Sequence, residues 1–68
     1  MMNEVDSSEI KVGDIIAPWF EKQAKVINII PYPSFRVAIM EPYPNKESGF
    51  NCSRIILYPK EKIQRING

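Results

Sequence analysis

The stretch FRVAIM at positions 35–40 carries the clearest structural signal in this chain. Phe35, Val37 and Ile39 alternate with the three residues that separate and follow them. A period of two is typical of a β-strand with one buried face. We therefore expect a strand here, with Val37 and Ile39 turned toward the core.

Further runs of β-branched and aromatic residues flank this strand, with proline- and glycine-containing turns between them. They cover positions 15–20, 24–30, 50–58 and 63–66. No window shows the 3.6-residue period of a helix, and six prolines are scattered along the chain. The sequence therefore predicts an all-β fold of five short strands. The core is predicted from the inward positions, which are Ile15, Ala17, Val26, Val37, Ile39, Ile55, Leu57 and Ile63.

A short motif narrows the fold. Val12-Gly13-Asp14-Ile15-Ile16 resembles the VGDxV opening of many small SH3-like barrels, including KOW-type and Tudor-type domains. The resemblance spans about residues 10–66 and implies a five-stranded SH3-like barrel, with a single 3₁₀ turn at 59–62 before the last strand. An OB-like barrel is the alternative. The connection at 20–23 is too short for the long acidic and aromatic loop of a peptide-binding SH3 domain, which argues against proline-motif binding in that style.

Length and charge set the domain organisation. With 68 residues the chain has room for one domain. Residues 1–9 hold three acidic residues and no basic one, so we interpret them as a flexible acidic tail that precedes a barrel domain at 10–68. Cys52 is the single cysteine, no apolar run is long enough to span a membrane, and the first ten residues do not resemble a signal peptide. These features predict a cytoplasmic protein.

Several kinds of chemistry lack the residues they need. The chain has no histidine, one cysteine, and three glycines that do not form a phosphate-binding loop. We therefore expect no enzyme activity, no metal site and no cofactor. Cys52 is interpreted as a small apolar residue in the fourth strand. The alternative is a reactive thiol, because Arg54 lies on the same face of that strand.

Aromatic residues next to prolines are the best candidates for a protein-binding surface. Tyr32 and Tyr43 each lie between two prolines, and Trp19 and Phe20 are adjacent, so one of the pair faces outward on a strand. Exposed aromatic side chains are enriched at the centres of protein interfaces. The partner is expected to be another protein, or a second copy of the chain joined through an exposed edge strand.

Nucleic-acid binding is the alternative function. It would use a basic and aromatic face, formed by Arg36, Arg54, Lys60, Lys62, Arg65 and Tyr58. The formal net charge of +1 is weak for this purpose, and glutamates are interspersed among the cations. Protein interaction is therefore the preferred hypothesis.

Overall fold

A computed structural model describes residues 2–18, 22–49 and 53–66 of the chain. These residues form strands with only a few residues of 3₁₀ helix, which lie at Ser7–Glu9. The strands are β1 Met2–Asp6, β2 Ile15–Ile16, β3 Gln23–Pro31, β4 Arg36–Tyr43, β5 Arg54–Leu57 and β6 Lys62–Ile66.

The strands form one curled antiparallel sheet in the order β1-β6-β2-β3-β4-β5, which makes a half-barrel. The predicted all-β fold is therefore confirmed. The strand count differs, because the sheet has six strands where five were predicted. The run predicted at 15–20 is also shorter than expected, since β2 ends at Ile16 and the described residues that follow, Ala17 and Pro18, are outside the sheet.

The additional strand is β1, which lies in the segment that was interpreted as a flexible tail. That interpretation is therefore wrong for residues 2–9. β1 pairs with β6 from Met2 opposite Ile66 to Asp6 opposite Lys62. Val5 packs against the core, and Ser7 donates from both its N–H and its hydroxyl to the carbonyl of Glu61. The sequence did not predict this strand, because acidic residues flank a single inward-facing valine and leave no alternating apolar pattern.

The SH3-like resemblance implied a 3₁₀ turn before the last strand. The 3₁₀ helix of the structure instead lies after β1. The carboxylate of Asp6 caps it by accepting from the N–H of Ser8 at 2.9 Å. That backbone bond, with help from the Ser8 hydroxyl and the charge of Lys62, lowers the pKa of Asp6. Residues 58–61 instead form a plain turn, in which Lys60 has a φ of 68°.

The core lies on the inner face of the curled sheet. Its buried apolar residues are Ile10, Ile16, Ala17, Ala24, Val26, Ala38, Met40, Leu57 and Ile63. Four of the eight predicted core residues are in this set, and Ile55 packs against it while half-buried.

For two strands, the prediction of which alternate residues face the core was wrong. We call this choice the phase of the strand. On β4 the buried residues are Ala38 and Met40, so Val37 and Ile39 face outward. On β2 the buried residue is Ile16 and not Ile15. Both faces of β4 carry apolar residues, so alternation alone could not decide which face is inside; the narrow interior of a curled sheet accepts the small Ala38 more easily than a branched side chain.

β4 also extends three residues into the region predicted as a loop at 41–49. The turn that follows is organised by Asn45, whose side-chain oxygen accepts from the N–H groups of Glu47 and Ser48 at 2.9 Å each. This Asx-type turn brings Gly49 back against the backbone of Pro42 and Tyr43.

Candidate protein-binding face

Three neighbouring strands place aliphatic residues side by side on the outer surface of the sheet. Ile30 on β3 lies opposite Val37 on β4, and Val37 lies opposite Ile56 on β5. Directly opposed residues of antiparallel strands share a face. This face is the outer one, because the adjacent residues Ala38 and Leu57 are buried. Ile30 and Ile56 are 37% and 47% exposed.

An aromatic row lies just beyond the ends of the same strands, with each aromatic residue two positions from an aliphatic one. The rings of Tyr32 and Phe35 stack with their centroids 5.0 Å apart, and Phe35 and Tyr58 are 6.0 Å apart. The N–H of Tyr32 donates to the carbonyl of Phe35 at 2.9 Å, which closes the turn between β3 and β4. Tyr32 and Tyr58 are 49% and 48% exposed. We call the two rows together the outer apolar face; it consists of Ile30, Tyr32, Phe35, Val37, Ile56 and Tyr58.

A groove of about 200 Å³ borders the aromatic row. Tyr32, Pro33 and Phe35 line one part of it, and Ser8 and Pro59 line another. Proline rings fix the backbone φ angle, so the aromatic side chains next to them are positioned before any partner arrives. Such preorganisation lowers the entropy that binding costs.

The structure brings only part of the predicted protein-binding set onto this face. Tyr32 belongs to it. Tyr43 is exposed, but it lies at the opposite end of the β3–β4 hairpin, where it pairs with Gln23. Tyr32 and Tyr43, predicted together as candidates for one binding surface, are therefore separated, and Tyr58 is the tyrosine that lies with Tyr32. Trp19 and Phe20 lie outside the described residues, as does Cys52.

Arg36, predicted to contact nucleic acid, has an internal role. It lies on the inward-facing side of β4, and its guanidinium donates to the carbonyl of Ile10 at 2.9 Å and to that of Ser7. Arg36 therefore joins the 3₁₀ helix to the start of β4, the strand next to the β5 edge of the sheet. Arg36 is half-buried and also lines the groove beside the aromatic row.

The other predicted cations are spread over the molecule. Arg65 is on the inner face and forms an ion pair with Asp14, with 3.8 Å between its Nη1 and the carboxylate Oδ2. Its Nε is buried without a hydrogen-bond partner among the described residues. Lys60 is in the turn after β5, Lys62 lies opposite Asp6 on the outer face, and Arg54 lies on the outer face of β5. No common basic face joins these five cations in the described part of the chain.

A second concavity of about 300 Å³ lies between the two edges of the half-barrel. Glu4 of β1 and Gln64 of β6 line one side of it, and Ile55 and Ile56 of β5 line the other. Its wall mixes charged and apolar residues. A search of the described residues for three or more clustered histidine, cysteine, aspartate or glutamate side chains that could hold a metal ion found none.

Sequence reasoning missed most of the outer apolar face. Phe35, Val37 and Ile56 were placed in strands, but the first two were not considered as surface residues because β4 was given the opposite phase. The signal that could have revealed them is the number of apolar residues on both faces of β4. In an antiparallel sheet that covers the core with one face, a strand with two apolar faces presents the second one outward.

Among the described residues, no helix is long and apolar enough to cross a membrane. Comparisons of the chain with models of known protein families, with curated proteins and with solved structures found no match.

Proposed function

We propose that this chain is a non-catalytic protein-interaction domain that binds a protein partner through the outer apolar face. The observation that supports the proposal is the adjacency of three aliphatic residues on three neighbouring strands and three aromatic residues just beyond the ends of those strands. None of these six residues is charged. Aromatic residues with few charges are the composition found at the centres of protein interfaces.

The size of this face supports the same proposal. Its four most exposed residues present on the order of 400 Å² of surface. The largest contiguous apolar patch on a monomeric protein is typically about 300–600 Å², and it often has a binding role. A patch of this size is about a tenth of the 4628 Å² surface of the chain, which is the share that a standard protein interface occupies on a small protein.

Kinship with SH3-like barrels is part of the proposal and has a narrower basis. The Val12-Gly13-Asp14 turn precedes a strand of the half-barrel, and Gly13 has a φ of 98°, a conformation that glycine adopts without strain. The extra strand β1 and the position of the 3₁₀ helix are departures from that pattern.

The experiment compares two lysine variants as baits for proteins from a lysate of the source cells. Ile30→Lys adds a charge to the outer apolar face, and Val12→Lys adds the same charge at a residue that is 57% exposed in the turn before β2. We expect Ile30→Lys to lose a partner that the unmodified chain and Val12→Lys retain. Circular dichroism confirms that both variants remain folded.

Two results would contradict the proposal. One is equal retention of every partner by Ile30→Lys and the unmodified chain. The other is retention of nucleic acid that falls steeply as the salt concentration rises and that Arg54→Ala abolishes, which is the behaviour of a phosphate-binding surface.

A further inference from the structure

We infer that two copies of this chain associate through β5, so that their two sheets continue into one. The inference concerns the backbone edge of β5; the side chains of Ile56 on this strand and of Tyr58 just after it also belong to the outer apolar face. β5 is the last strand in the sheet order, and within the described residues its far side has no pairing strand. An edge strand of this kind presents N–H and C=O groups to another strand.

The hydrogen-bond pattern shows which backbone groups point to that edge. The N–H of Met40 donates to the carbonyl of Ser53 at 2.8 Å, so residues 40 and 53 form a hydrogen-bonded pair. Bonded and non-bonded pairs alternate along an antiparallel ladder. Val37 and Ile56 are therefore a non-bonded pair, and the N–H and C=O of Ile56 point away from β4, toward the open edge.

One register of self-pairing fits both the backbone and the charges. When Ile56 lies opposite Ile56 of the second copy, the two residues exchange two hydrogen bonds, and both side chains remain on the outer face. Arg54 then lies opposite Tyr58 of the second copy, where a cation can stack on an aromatic ring. The two Arg54 residues are four positions apart, about 13 Å. This distance is longer than the Debye length at physiological salt, so the repulsion between their charges is largely screened.

The alternative edge is less suitable. β1 forms the other edge of the sheet, and Glu4 and Asp6 face outward from it. Self-pairing of β1 would place these carboxylates opposite one another, and like charges in cross-strand positions are destabilising. β5 carries no carboxylate and no proline between Arg54 and Leu57. The formal net charge of +1 gives little long-range repulsion between copies.

Sedimentation equilibrium on the full chain between about 5 and 500 μM tests the inference, because a junction of two short strands is a small interface with a weak dissociation constant. We expect a monomer–dimer equilibrium. Ile56→Ala removes the side chain but keeps the N–H, and Ile56→Pro also removes the N–H. An edge strand tolerates proline where its N–H faces outward, so Ile56→Pro should fold and weaken the dimer at least about tenfold more than Ile56→Ala.

Cysteine cross-linking tests the register in chains that carry Cys52→Ser. The register predicts that Ile56→Cys forms an intermolecular disulfide, because opposed Cα atoms in a bonded pair are about 5.5 Å apart. Arg54→Cys should not form one, because the two Arg54 positions are about 13 Å apart. Equal cross-linking by the two variants would overturn the register.

The remaining outcomes separate this inference from the proposed function. A chain that stays monomeric at every concentration overturns the β5 dimer, and the lysate experiment with Ile30→Lys then tests the outer apolar face by itself. Assemblies larger than dimers overturn it too, since they indicate pairing of β5 with β1. A dimer that survives Ile56→Pro but is lost on Tyr32→Ala shows that the copies meet through the outer apolar face, which also contradicts the inference.

Discussion

Replacing Arg36 with methionine should destabilise the whole domain, because this arginine joins the N-terminal part of the chain to the sheet. Its guanidinium donates to the carbonyls of Ser7 and Ile10, at the start of the 3₁₀ helix and just after its end. Methionine keeps an unbranched apolar side chain on the inner face of β4 but cannot donate. The substitution therefore removes the two hydrogen bonds with little change in packing.

The size of the loss follows from the two bonds. A hydrogen bond to a charged group contributes about 1.5–3 kcal/mol, and both bonds here are only partly buried, so we expect a total loss of about 2–4 kcal/mol. A domain of this length has a free energy of unfolding of roughly 3–10 kcal/mol. Arg36→Met should therefore lower the urea midpoint strongly or prevent folding.

The assay is urea unfolding followed by circular dichroism, with two comparison variants. Arg54→Met makes the same change at an exposed position on the neighbouring strand and should cost less than about 1 kcal/mol. Arg36→Lys keeps the charge but cannot hold two carbonyls with one planar fork, so it should recover part of the loss. In the methionine variant, the N–H of Ile10, which donates to Ser7, should also exchange with solvent faster.

The reasoning is refuted if Arg36→Met and Arg54→Met have the same stability within about 0.5 kcal/mol. That result would mean that the carbonyls of Ser7 and Ile10 are hydrated equally well without the guanidinium. Arg36 would then be free to take part in binding, as the sequence had suggested.

Two further predictions concern local conformation and pH. Gly49→Ala should destabilise the domain by about 2 kcal/mol or more, because a Cβ there would lie 2.6 Å from Cβ of Pro42 and would also meet the backbone nitrogen of Tyr43. At Gly13 a Cβ would meet no atom within 4 Å, so Gly13→Ala should cost only about 1 kcal/mol for its positive φ. Thermal melts compare the two variants. The lowered pKa of Asp6 means that its stabilising effect is present above the unfolded-state pKa of about 3.9 and is lost as the pH falls through the lower folded-state value. Asp6→Asn keeps a capping side chain, so its Tm should be below that of the unmodified chain at pH 7. The difference should shrink as the pH falls below about 3.9, and a constant difference would exclude the carboxylate as the cause.

The sequence was sufficient for the fold class and insufficient for the edges of the sheet. Short β-branched runs separated by prolines predicted β3, β4, β5 and β6 with useful accuracy. β1 was missed because its stability depends on β6, which lies almost sixty residues later, and on contacts of Ser7 with the turn before β6. No local pattern in 1–9 reports such a partner.

The candidate site shows the same division between local and non-local information. Tyr32 and Tyr43 were recognised as candidates because prolines flank them, which is a local feature. The assembly of Tyr32 with Phe35 depends on strand register, and the separation of Tyr43 from them depends on the length of the β3–β4 hairpin. The internal role of Arg36 depends on the 3₁₀ helix that the sequence did not reveal.

The phase of β4 connects the fold to the proposed binding face, and a pair of glutamate substitutions tests it directly. Ala38 is fully buried next to Ile55, so Ala38→Glu would place a carboxylate in the core without a partner. Ile39 faces outward opposite Arg54, so Ile39→Glu would gain a cross-strand pair of opposite charge. We expect Ala38→Glu to abolish the β-sheet circular dichroism signal and Ile39→Glu to lower the Tm by only a few degrees.

If Ile39→Glu abolished the β-sheet signal and Ala38→Glu were tolerated, the phase that the sequence suggested would be correct, with Val37 and Ile39 in the core. That result would also remove the basis of the outer apolar face, because Val37 is the residue that connects Ile30 to Ile56. The stability of these two variants therefore decides whether β4 presents an aliphatic row to a partner, before any partner has been identified.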